Sequence, residues 1–162
     1  MKSFIRWVQF GTLVFAVLFY AIAIAEDPAS TADKEADDFR NRVSLFGGMT
    51  QDGSEYGASV GLEYEYRLGP YLGLGGLAEY TGGDFDSWVL CVPFFIHPYA
   101  GWAVWLAPGA EIEEEENNFL FRVGLGYDFE IYPRWSVAPE INVDFTNGNT
   151  KLAYGFTLSW DF

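Results

Sequence analysis

The residues of this chain that could do chemistry are mostly carboxylates. The sequence has 23 Asp and Glu residues against nine Lys and Arg, with one histidine and one cysteine. The histidine, His97, precedes Pro98, and no serine follows two residues later. Nucleophilic catalysis needs a base beside a hydroxyl or thiol. The sequence therefore predicts no catalytic residue, no cofactor and no enzymatic activity.

Acidic residues also gather in three predicted loops, in QDGSE, TGGDFD and EIEEEENN. Carboxylate oxygens are the ligands that Ca²⁺ and Mg²⁺ prefer. The candidates for such a site are Glu113, Glu114, Glu115 and Glu116. Contiguous glutamates lack the spacing and the glycine of a calcium loop, so a solvated, self-repelling loop is the simpler interpretation.

The elements that position these residues follow a period of two. In the last twelve residues, KLAYGFTLSWDF, large apolar residues alternate with small or charged ones, which is typical of a β-strand with two different faces. The same pattern predicts eight strands, near residues 42–50, 56–68, 71–80, 87–96, 99–111, 119–130, 136–146 and 151–162. The facing of 87–111 stays open. Asp52-Gly53 and Asn147-Gly148 indicate two-residue hairpin turns, so the strands form an antiparallel up-and-down meander.

Side-chain volume decides which face lies inside. The interior of an eight-stranded barrel is only wide enough for side chains to fill. The large apolar face cannot fit there, whereas the Gly, Ser, Ala and Thr face can. An apolar exterior around a whole barrel is stable only in a bilayer. The fold class predicted is therefore all-β, an eight-stranded antiparallel up-and-down transmembrane β-barrel. A lipocalin-like soluble barrel would have the opposite facing.

Charged residues on the inner face need partners because the lumen has a low dielectric. A turn at Asn147-Gly148 sets Asp144 across from Lys151, and a turn at Asp52-Gly53 sets Arg42 across from Glu63. Arg122 should meet Glu140 or Asp144. The predicted lumenal ion pairs involve Arg42, Glu63, Arg122, Glu140, Asp144 and Lys151. They predict a polar, largely filled lumen rather than an open pore.

The N-terminus predicts secretion. Lys2 and Arg6 precede an uncharged apolar run that ends in Ala23-Ile24-Ala25. This is the pattern of a signal peptide over residues 1–25, cleaved after Ala25. An uncleaved transmembrane anchor is the alternative. Residues 26–40 read as an acidic disordered tail, and residues 41–162 as the barrel.

Charge limits the partners of the mature chain. Removing Lys2 and Arg6 leaves seven basic residues against 23 acidic ones, a formal charge of −16. So acidic a chain is not expected to bind the phosphates of nucleic acid.

From about Arg40 to the end, the sequence resembles the small outer-membrane β-barrel proteins of Gram-negative bacteria, the relatives of outer-membrane proteins A, W and X. In that group an alternating terminal strand with a C-terminal Phe is the signal for assembly. The matching residues here are Tyr154, Phe156, Leu158, Trp160 and Phe162. The resemblance implies the outer membrane, its lipid and lipopolysaccharide, and the barrel assembly machinery as partners, with divalent cations as further candidates.

The function expected from these features is a structural or interaction role. A narrow channel or a binding barrel for small solutes is the first alternative. A lipid A-modifying enzyme is the second, and it would require His97 at the outer rim beside a hydroxyl.

Overall fold

The computed structural model describes residues 39–113 and 117–162. The predicted signal peptide, residues 26–38 of the predicted tail, and Glu114, Glu115 and Glu116 lie outside the described residues. Within the described ranges, no helix has the length and hydropathy to cross a bilayer.

The described chain is an antiparallel meander of strand segments. Their bounds are β1 Asn41–Asp52, β2 Glu55–Arg67, β3 Leu72–Thr81, β4 Ser87–Cys91, β5 Phe94–Ile96, β6 Trp102–Ile112, β7 Asn117–Tyr127, β8 Phe129–Tyr132, β9 Trp135–Phe145 and β10 Thr150–Asp161. β4 and β5 share one barrel position between β3 and β6, and β7 and β8 share another beside β9. Because β10 also pairs with β1, the sheet closes into the predicted eight-stranded barrel.

Two barrel strands are interrupted, and each interruption has a local cause. Pro93 separates β4 from β5 and has no N–H to donate to the ladder. The neighbouring groups keep their bonds, since Val92 N donates to Pro108 O at 3.0 Å and Gly75 N donates to Pro93 O at 2.9 Å. Asp128 separates β7 from β8 and donates its N–H to Gly101 O at 2.7 Å. Both breaks therefore leave the barrel wall continuous.

The predicted facing of the strands is confirmed. Leu62, Phe119 and Phe156 on the outer face are 57%, 63% and 65% exposed, whereas Ser44 and Thr157 on the inner face are buried. The region whose facing was left open follows the same rule on its strands, with odd-numbered residues inward from Ser87 to Phe95 and from Ala103 to Glu111. The apolar face thus surrounds the barrel.

One turn differs from its prediction. Asp52 pairs with Glu55, so the turn residues are Gly53 and Ser54 rather than Asp52 and Gly53. Gly53 has a φ of +59°, a conformation that favours glycine. The change moves the register of β1 against β2 by two residues, and it changes the partners of the lumenal charges. At the β9–β10 hairpin, Lys151 lies across from Asp144 as predicted.

The lumen is less polar than the sequence analysis predicted. Buried apolar residues line one wall: Val89, Cys91, Phe95, Trp105, Ala107 and Leu120. The large rings fit because the facing strands carry glycine. A Cβ on Gly124 would overlap the indole of Trp105, and a Cβ on Gly126 would lie 3.3 Å from the same ring. Glycines on these strands therefore make room for aromatic side chains inside the barrel.

Candidate functional site in the barrel lumen

Arg122 lies at the centre of the lumen and has no exposed surface. Its Nε and Nη2 donate to the two oxygens of Asp144 at 2.6 and 2.7 Å, and its Nη1 donates to Glu79 Oε2 at 2.5 Å. The bidentate contact joins neighbours on β7 and β9, while Glu79 reaches across from β3. This cluster, called here the Arg122 triad, fills the cross-section with charge-assisted hydrogen bonds.

A second cation closes the end of the lumen where the described part of the chain begins and ends, called here the end with the termini. Arg42 Nε and Nη2 donate to Asp161 at 2.7 and 3.0 Å, and Nη1 donates to Asp128 at 2.6 Å. The predicted pairing of Arg42 with Glu63 is wrong. Because the β1–β2 turn begins one residue later, Arg42 lies opposite Glu65, and its guanidinium turns to the carboxylates of β10 and of the bend at Asp128.

The third cation, Lys151, lies near the opposite end, called here the loop end. Its Nζ donates to Glu111 at 2.6 Å and to Glu113 at 3.5 Å, and it lies 4.9 Å from the centre of the Phe85 ring. Asp144 is its cross-strand neighbour, but the side chain of Asp144 is held by Arg122. Lys151 therefore joins β10 to β6 across the lumen.

His97 follows β5 and lies at the end with the termini. Its Nε2 lies 2.7 Å from Glu65 Oε1, and Glu65 is buried. Within the described residues, its hydrogen-bond partner is this carboxylate rather than a hydroxyl. The histidine is thus part of the lumenal charge network.

Two small cavities remain between these clusters. One of about 20 Å³ lies toward the termini, and its lining includes Arg42, His97 and Trp105. The other, of about 10 Å³, reaches the Arg122 triad. Glu63 and Glu140 line both cavities. Each volume is enough for about one water molecule.

Of the predicted lumenal residues, the structure brings Arg122 to Asp144 but leaves Glu63 and Glu140 without a cation within 4.0 Å in the described part of the chain. The sequence analysis did not select five carboxylates that take part: Glu65, Glu79, Glu111, Asp128 and Asp161. Glu65, Asp128 and Asp161 did lie on the inner face of the predicted alternation. The alternation therefore predicted that these three side chains point into the lumen, but it did not predict which cations they would contact.

The acidic loop residues are only partly described. Glu113 is half-buried beside Lys151, and Glu114, Glu115 and Glu116 lie outside the described residues. Within residues 39–113 and 117–162, no three side chains of His, Cys, Asp or Glu converge on a point that could hold a metal ion.

The C-terminal strand carries its aromatic residues on the outer face. Tyr154, Phe156 and Phe162 are exposed, and Trp160 stacks between Trp135 and Phe162 with ring centres 6.2 and 4.9 Å away. Aromatic rings at strand ends are typical of the two interfaces of a bilayer.

Comparison with known proteins identifies the fold. No protein-family model and no curated protein matches the sequence. Solved structures do match. The Ail protein of Yersinia pestis superposes with a TM-score of 0.55 at 12% identity, over 75% of this chain and 97% of that one. The N-terminal β-barrel domain of Pseudomonas aeruginosa OprF gives 0.55 at 11% identity, over 76% and 99%. Neisserial surface protein A gives 0.51 at 7% identity, over 75% and 96%.

Proposed function

Because the chain has the fold of small eight-stranded outer-membrane β-barrels, we propose that it is an outer-membrane protein with a structural or interaction role. In this proposal the termini and the short turns at residues 68–71, 97–101 and 133–134 face the periplasm. The connections at the opposite end of the barrel, two of which are acidic, face the exterior.

The observation that carries the proposal is the apolar belt on the outside of a closed barrel. Large apolar side chains on every barrel strand are exposed, from Leu45 on β1 to Leu158 on β10. A soluble monomer rarely exposes a contiguous apolar patch of more than a few hundred Å². In a bilayer the same belt is favourable, because lipid chains replace water along it.

The lumen supports a structural role over transport. The Arg122 triad spans its centre, while the Arg42 and Lys151 clusters lie toward its two ends. A solute would have to break charge-assisted hydrogen bonds at all three levels. At the central level the bonded groups are shielded from water, which strengthens those bonds.

The expected surroundings are outer-membrane lipid and lipopolysaccharide, with assembly by the machinery that inserts such barrels. The exposed aromatic residues of β10 support this part of the proposal, since they form the alternating C-terminal pattern. At the outer end, Asp52 and Glu55 flank the first turn, and the next loop contains Asp84 and Asp86. The described residues of these two connections include no basic residue. They favour divalent cations over polyanions as outer ligands.

The test is fractionation of cells that express the protein, followed by gel electrophoresis with and without heating. We expect an outer-membrane species that migrates compactly when unheated and shifts on boiling. A soluble periplasmic species without a shift would contradict the proposal.

A narrow conduit for small solutes is the second candidate. The two cavities beside Glu63 and Glu140 favour it, because they form a partial path from the end with the termini. Planar-bilayer recording separates the two functions. A steady unitary conductance in the native protein would favour the conduit, and a silent bilayer containing folded protein would favour the structural barrel.

A further inference from the structure

The central lumen has an excess of negative charge. Glu63, Glu79, Glu140 and Asp144 lie around one guanidinium, that of Arg122. Arg42, the next cation along the lumen, is already held by Asp128 and Asp161. Excess charge in a medium of low dielectric is strongly disfavoured. The layer therefore requires a further positive charge.

Unsatisfied atoms mark where that charge would bind. Glu79 Oε1 is fully buried and has no hydrogen-bond partner in the described residues, and Glu79 lines the 10 Å³ cavity together with Glu63 and Glu140. The hydroxyl of Thr157 lies on the same cavity. Several hydrogen-bond acceptors face this cavity, which has room for about one water molecule. Such a cavity binds a small cation better than a neutral or anionic ligand.

The cationic groups near Glu63 and Glu140 are already engaged by other carboxylates. Around Glu63 the charged groups are Arg42, Glu65, Arg122 and Glu140. His97 lines the same cavity as Glu63 and Glu140, and its Nε2 lies 2.7 Å from Glu65 Oε1. Around Glu140 they are Asp128, Arg122 and Glu79, with Glu63 across the lumen. Both cations in these sets are engaged by other carboxylates at 2.7 Å or less.

We propose that Glu63 and Glu140 form a binding site for a single positive charge of about the size of a water molecule. The source of the charge is either a proton held by the carboxyl pair or a monovalent metal ion in the place of one water molecule. Besides the two carboxylates, Glu79 Oε1 and the hydroxyl oxygen of Thr157 are acceptors on the same cavity. The site goes beyond the proposed structural role, since it assigns the lumen a ligand.

The test is urea unfolding of the protein refolded in detergent micelles, with Glu63→Gln/Glu140→Gln as the variant. Glu55→Gln/Glu130→Gln is the matched control, because it removes the same charge from exposed positions. Sodium is exchanged for choline at constant ionic strength, and pH is varied separately.

If a metal ion binds, the native folding constant rises up to tenfold for each tenfold increase in sodium. If a proton binds, the folded state keeps it to a higher pH than the unfolded state does. The folding constant then falls up to tenfold for each pH unit over which only the folded state still holds the proton. The infrared band of a protonated carboxyl group should then be present in the native protein.

The dependence of the folding constant on sodium or on pH must be weaker in Glu63→Gln/Glu140→Gln than in the native protein, and it must be unchanged in Glu55→Gln/Glu130→Gln. The proposal is overturned if the native protein and the lumenal variant respond equally to sodium and to pH. Should the double variant fail to fold, the single variants Glu63→Gln and Glu140→Gln give the same comparison.

Discussion

Replacing Arg122 with methionine should strongly destabilise the barrel. The change removes three hydrogen bonds of 2.5–2.7 Å and leaves the carboxylates of Glu79 and Asp144 buried without a cation. Breaking a buried ion pair from one side costs about 3–5 kcal/mol, a factor of roughly 10² to 10⁴ in the folding constant. Most of this cost comes from the carboxylates left behind rather than from the lost contacts. Arg122→Met/Glu79→Gln/Asp144→Asn should therefore recover most of the stability.

The assay is urea unfolding in micelles, with the unfolding free energy taken by linear extrapolation. Arg134→Met is the control, because Arg134 is exposed in the turn after β8 and lies over the ring of Phe39. We expect this control to lose at most about 1 kcal/mol. The reasoning fails if Arg122→Met costs no more than the control, or if the triple variant is no more stable than Arg122→Met.

Two further predictions test packing and the bilayer. Gly124→Ala should lower the free energy of unfolding by about 1–3 kcal/mol, because its Cβ would overlap Trp105. Gly47→Ala is the control, since its Cβ meets open space and should change the stability little. Equal urea midpoints for the two variants would contradict the packing of Trp105 against Gly124. Phe156→Arg, at the middle of β10, should cost about 2–4 kcal/mol in lipid, and Tyr132→Arg, at the end with the termini, about 0–1 kcal/mol. A neutral Phe156→Arg variant in refolding into vesicles would indicate that this face does not contact lipid.

The fold could be predicted from sequence because its signals are local. A period of two along each strand fixes which side chains share a face, and no knowledge of the neighbouring strand is needed. Even Asp128 and Asp161 fell on the correct face. The turn at Asp52 was predicted wrongly because Asp52-Gly53 and Gly53-Ser54 both place glycine in a tight hairpin. A difference of one turn position there moves Arg42 from Glu63 to Glu65.

The amino-acid sequence by itself determined a barrel with an apolar exterior and charged residues in its lumen. The tertiary structure decided which charges meet. Lys151 reaches Glu111 on β6 and Arg122 reaches Glu79 on β3, in both cases on a strand that is not its ladder neighbour. Such contacts depend on the stagger and closure of the whole sheet, which set the height of each side chain in the lumen. Strand periodicity carries no information on that height, so the Arg122 triad and the unpaired Glu63 and Glu140 became visible only in the closed barrel.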